Sequence, residues 1–226
     1  MAEFLDIIRN LDFSVLLDLA AAVIPAYICI TFHEICHGCV AYMLGDNTAR
    51  DMGRLSLNPF RHLDVMGLMF MVIFHFGWAK PVPVNAGNFE NPKKGMALTA
   101  LAGPLSSLLL AVVAMALYGV LFIPFIKNGS DLAMLLLEAI YMTSFMSVTL
   151  AVFNILPIPP MDGAKFFLSF LPDKQYFSIL RYERFGVILL ALITWTNVLS
   201  DFLASAYISV FDKLNLIADF IINRMA

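Results

Sequence analysis

The sequence predicts an all-α polytopic membrane protein with about four transmembrane helices, a re-entrant segment and a short membrane-associated β strand or hairpin. Three observations predict it. Of 226 residues, 61% are hydrophobic and only 14% charged, against roughly 45–50% and 25% in soluble domains. Mean hydropathy is +0.83. Several apolar stretches also reach the roughly 20 residues needed to cross about 30 Å of hydrocarbon. Too few polar side chains remain to cover a water-facing surface, which excludes a soluble enzyme and a disordered tail. A net charge of −3 offers no basic surface for nucleic acid. The partner implied throughout is the lipid bilayer.

The elements follow in order. In residues 1–13, Leu5, Ile7, Ile8 and Leu11 alternate with charges at helical spacing, which predicts an interfacial N-terminal helix. Its acids and the lack of a small-residue cleavage site separate it from a secretory signal. Spans are expected at 14–44, 96–126, 132–158 and 185–211, and 96–126 contains no Asp, Glu, Lys or Arg. The apolar run 66–78 has 13 residues, about 20 Å of helix, so it is read as re-entrant. The core then covers 14–170, and 171–226 supplies a C-terminal span and an amphipathic helix. Between spans, Arg54-Leu55-Ser56-Leu57 alternates between Gly53 and Asn58-Pro59, the pattern of a short strand or hairpin. Residues 79–92 are rich in Pro, Gly and Asn and should be irregular or extended.

With four crossings both termini share one side, and loops 45–95 and 159–184 carry ten of the 14 Lys and Arg residues. The positive-inside rule makes those loops cytoplasmic.

Five acids lie in or at the ends of apolar stretches: Asp18, Glu34, Glu138, Asp162 and Asp201. Each costs a few kcal/mol at the bilayer centre. Asp18, Glu138 and Asp201 fall toward the extracytoplasmic end and are read as interfacial or packing carboxylates. Glu34 and Asp162 fall toward the cytoplasmic end and have company. His33-Glu34-Ile35-Cys36-His37 is an H-E-x-x-H sequence on a helix, where residues four apart share a face and both imidazoles can hold one zinc ion. Glu34, offset by one position, can reach a water at the metal without taking a coordination site. The plainer alternative is a pair of hydrogen-bonded core histidines beside a chance Glu. Adjacent costly groups in an apolar helix favour the metal.

Catalytic zinc takes three protein ligands and an open position. The third is expected from Asp162, which follows a break made by Pro157, Pro159 and Pro160. Cys29, Cys36 and Cys39 are too few and too close for a disulfide framework. They read as packing residues, with Cys29 or Cys36 a lesser candidate for a fourth ligand. His62 and His75 are assigned hydrogen-bonding roles.

These residues resemble the site-2 protease family of intramembrane zinc metalloproteases. His33-Glu34-x-x-His37 and Asn154-x-x-Pro157-x-Pro159-Pro160-x-Asp162-Gly163 carry the resemblance. Gly53 to Pro59, Gly77 to Asn85 and Ala102-Gly103-Pro104 support it. No PDZ-like insertion is present, so the chain is similar to the short form. The resemblance implies one zinc per chain on His33, His37 and Asp162, Glu34 as catalytic acid/base, and Asn154 contacting the substrate backbone or oxyanion. It implies cleavage of a single membrane-spanning helix in regulated proteolysis, in a prokaryotic cell membrane with the site toward the cytoplasm. Ser107 stands where family members often carry Asn, a departure from the family's pattern. The competing function is a non-proteolytic membrane zinc-binding protein or metal carrier. A carrier would spread its ligands over several depths.

Overall fold

The computed structural model describes residues 13–62, 64, 66, 67, 69, 80–183, 185, 186, 189, 192, 193, 196 and 199–225, with their side chains from Val23 onward except that of Pro59. The regular elements among them are helical. They are α1 (Phe13–Met43), α2 (Thr48–Asp51), α3 (Pro92–Asn128), α4 (Asp131–Asn154), α5 (Asp162–Leu168), α6 (Asp173–Leu180) and α7 (Ser200–Met225), with short 3₁₀ turns at Pro59–Arg61 and Ala86–Asn88.

Three helices among the described residues are long and apolar enough to cross a membrane: Val23–Met43 within α1, Pro92–Asn128 and Asp131–Asn154. They correspond to the spans expected at 14–44, 96–126 and 132–158. Local chemistry sets their ends. The Asn91 side chain accepts from Lys94 N–H and Pro92 opens α3, the favoured N-cap and first-turn residues. Gly129, at φ 64°, closes α3 in the left-handed conformation that glycine adopts without penalty. Ser130 then caps α4 through Ala133 N–H, so two residues turn the chain back on itself. Beyond Asn154, the three prolines stop α4 short of the expected 158.

The fourth crossing expected at 185–211 is only partly described. Its continuous portion belongs to α7, which carries Asp201, Asp212, Lys213, Asp219 and Arg224. This helix is amphipathic, and it buries Phe211, Leu214 and Ala218 against Ala111 and Met115 of α3 and Val148 of α4. The interfacial helix at 1–13 and the re-entrant segment at 66–78 fall almost wholly outside the described residues, as does His75.

No strand occurs among the described residues, so the strand or hairpin expected around 53–57 is corrected to irregular backbone. Two features divert it. Gly53 sits at φ 64°. Arg54 is buried and spends its guanidinium on the carbonyls of Arg61, Lys80 and Pro81. A side chain that alternation assigns to one face of a strand instead ties three loop segments together.

Candidate metal centre

His33 and His37 are one helical turn apart on α1, and both are buried. Asp162 is the first residue of α5, delivered by the 155–161 loop that follows α4. Its position depends on Gly163, because a Cβ there would overlap the carbonyls of Ile155 and Leu156. No side chain larger than hydrogen fits between the start of α5 and that loop.

The three side chains converge. His33 Nε2 lies 3.1 Å from Asp162 Oδ2, His37 Nε2 lies 3.2 Å from the same oxygen, and the two Nε2 atoms are 3.0 Å apart. The opposite nitrogens are committed to α3. His37 Nδ1 donates to Thr99 O at 2.7 Å, and His33 Nδ1 pairs with Ser107 Oγ at 2.9 Å. A carbonyl only accepts, so His37 carries its proton on Nδ1, and Nε2 of the neutral ring keeps its lone pair. Lone-pair atoms at this spacing need a positive charge among them. Two imidazoles and a carboxylate are a donor set that suits zinc, and Nδ1 partners of this kind fix ring orientation in metal sites.

The α3 contribution is one stripe. Thr99, Gly103 and Ser107 follow at four-residue intervals and share a helix face. Thr99 meets His37 and Ser107 meets His33, so α1 and α3 run antiparallel here. Gly103 lies between them, where a Cβ would overlap His37 Nε2 and stand 2.6 Å from His33 Cε1. Small residues at such spacing let membrane helices approach closely.

Glu34, next to His33, accepts from Val82 N–H through Oε2 at 2.8 Å. Asn154, the last residue of α4, donates its side-chain amide to Leu150 O at 2.9 Å, back along its own helix and not toward the cluster. Cys29 Sγ bonds to Thr143 O and Ser147 Oγ, which joins α1 to α4 away from the histidines. Among the described residues the metal-competent group is His33, His37 and Asp162. Sequence reasoning missed Ser107, Thr99 O, Gly103 and Val82 N–H as supports. The four-residue stripe in α3 and the lone donor of Pro81-Val82-Pro83 are the signals that could have found them.

Comparison with known proteins adds a family likeness. The sequence pattern described as Peptidase family M50 matches residues 119–193, a stretch that includes Asn154 and Asp162. The chain is 35% identical over 172 residues to "Putative zinc metalloprotease YwhC" of Bacillus subtilis, covering 74% of this chain and 76% of that protein. It is 30% identical over 139 residues to "Putative zinc metalloprotease Rip2" of Mycolicibacterium smegmatis, covering 59% of this chain and 51% of that protein. It is 25% identical over 187 residues to the protein of the same name from Mycobacterium tuberculosis, covering 81% and 70%. No solved structure matches the chain.

Proposed function

The chain belongs to peptidase family M50, and from this premise we propose that it is an intramembrane zinc metalloprotease that hydrolyses peptide bonds within or near transmembrane helices of membrane proteins. The observation that carries the reading is the meeting of His33 Nε2, His37 Nε2 and Asp162 Oδ2 within 3.0–3.2 Å. These residues would hold one zinc ion per chain, the His37 imidazole kept in its metal-binding tautomer by Thr99 O and the His33 ring oriented by Ser107 Oγ.

Bound zinc supplies a Lewis acid that polarises the scissile carbonyl and lowers the pKa of water. Glu34 takes the proton of the attacking water and returns it to the departing amine, a role worth about 10²- to 10⁴-fold. Being one position off the His33–His37 face, Glu34 does this without occupying the metal. Asn154 turns its amide from Leu150 O to the substrate carbonyl, where one donor to the developing oxyanion is worth about 3 kcal/mol. The bond must be unwound from its helix before it enters, since helical carbonyls are already paired.

The substrate class is a single-span membrane protein. Four crossings with the site toward the cytoplasm accord with ten of 14 Lys and Arg residues lying in loops 45–95 and 159–184. The test is co-expression with a panel of tagged single-span proteins, comparing wild type, Glu34→Gln and chelator-treated membranes. A product seen only with untreated wild type supports the reading. A chain that transports zinc into proteoliposomes and cuts no membrane peptide overturns it.

A further inference from the structure

Residues 80–85 read Lys-Pro-Val-Pro-Val-Asn. Proline has no N–H, so across 81–83 Val82 carries the lone backbone donor. That donor goes to Glu34 Oε2 at 2.8 Å. A one-residue slip of the segment in either direction would present a proline to the carboxylate. The register of 80–85 therefore decides whether Glu34 is held at all.

Four contacts set that register. The buried Val82 side chain seats against Gly38, one turn beyond Glu34, where an added Cβ would stand 2.9 Å from Val82 Cγ1. At the far end, Asn85 N–H bonds to Asp46 Oδ2 at 2.7 Å. At the near end, Lys80 N–H bonds to His62 O at 2.9 Å. Arg54 does the most: its Nη2 donates to Lys80 O at 2.8 Å and Pro81 O at 3.0 Å, and its Nη1 to Arg61 O. Arg54 is only 9% exposed, and these partners are all backbone carbonyls. A planar guanidinium can span several acceptors at once, which an ammonium on a flexible stem does poorly.

We propose that Arg54 is a positioning residue for Glu34, acting through Lys80 and Pro81 to fix the Val82 N–H on one carboxylate oxygen and keep the other for the reacting proton. This rests on the proteolytic reading for its consequence, although the linkage itself is structural. The relay is Arg54 guanidinium, carbonyls 80 and 81, Val82 N–H, Glu34 carboxylate.

The test uses full-length protein in detergent and measures kcat, KM, bound zinc and amide exchange of the 80–85 peptide. For Arg54→Gln and for Val82→Pro, kcat should fall about 10- to 100-fold, the usual effect of a small misplacement. KM should stay within about twofold, because the interaction serves the reacting centre and not substrate binding. Zinc content should not change. The double variant should be no slower than the slower single variant, since both act through one contact. Arg54→Lys should recover part of kcat. Exchange at Val82 should accelerate about tenfold in Arg54→Gln and equally in Glu34→Ala.

Additive losses, zinc lost in step with kcat, or Val82 exchange indifferent to Arg54→Gln would overturn the proposal. Should Arg54→Gln fail to fold, Arg54→Lys carries the same readouts, and Val82→Pro, which has no amide at position 82, carries kcat, KM and bound zinc. If the wild type cuts no membrane peptide but the exchange pattern holds, the proteolytic reading falls and the Arg54–Glu34 linkage stands. The opposite result sinks the linkage alone.

Discussion

Gly103 of α3 stands against the metal-facing edge of His37 on α1, with no room for a methyl group between them. The same position adjoins His33, so one glycine sets the distance between the two helices that frame the site.

Gly103→Ala is the first test of that packing. On helix propensity alone, the change would stabilise α3 by up to about 1 kcal/mol. Here the added carbon must displace rings already tied to Thr99 O and Ser107 Oγ. Zinc affinity should fall at least about tenfold, the scale of losses when ligand orientation is disturbed. Competition titration against a chromogenic chelator measures it, and unchanged affinity would contradict the packing argument.

Ser107 should matter through His33. Its hydroxyl is buried beside His33 Nδ1 at 2.9 Å, and Ser107→Ala leaves that nitrogen without its partner. The expected loss is about 10- to 100-fold in zinc affinity, with a stability cost of about 1 kcal/mol. Zinc dissociation rates and thermal melts of the two proteins separate these effects.

Acid sensitivity should trace in part to Asp46. Burial pushes its carboxyl up, but bonds from the Thr48 hydroxyl, Asn85 N–H, Asn88 amide and Thr48 N–H outweigh this and hold it below the ordinary carboxylate value. A carboxyl lowered by folding stabilises the fold above its unfolded pKa of about 3.9. That contribution is lost as pH falls from there through the lower folded value. Melting temperature should therefore drop more steeply below about pH 4 in wild type than in Asp46→Asn. Parallel curves would show that Asp46 does not supply this dependence.

The legible and illegible parts of the site divide on sequence distance. His33, Glu34 and His37 can be read together because a helix turns four-residue spacing into a shared face. Asp162 can be read because prolines end a span on the side where the histidines lie. The partners on α3 are different in kind. The four-residue interval of Thr99, Gly103 and Ser107 is visible in the sequence, but the register between α1 and α3 is set by packing across 74 residues. Val82 is hidden for a similar reason, since Pro81 and Pro83 announce a lone donor without naming its acceptor. The expected strand near 53–57 fails because period-two alternation cannot distinguish a side chain that faces a sheet from an arginine that clamps loop carbonyls. The three long helices are legible because length and apolarity suffice. An amphipathic helix in 171–226 is legible as well, but its meeting with Ala111, Met115 and Val148 through Phe211, Leu214 and Ala218 is set by packing.

The central claim is that His33, His37 and Asp162 hold zinc while Glu34 does the proton transfer. The most direct measurement determines zinc content and cleavage of a single-span substrate on the same purified samples of wild type and Glu34→Gln. The account predicts one zinc per chain in both and cleavage in wild type alone. Cleavage by Glu34→Gln at a rate near that of wild type would contradict it.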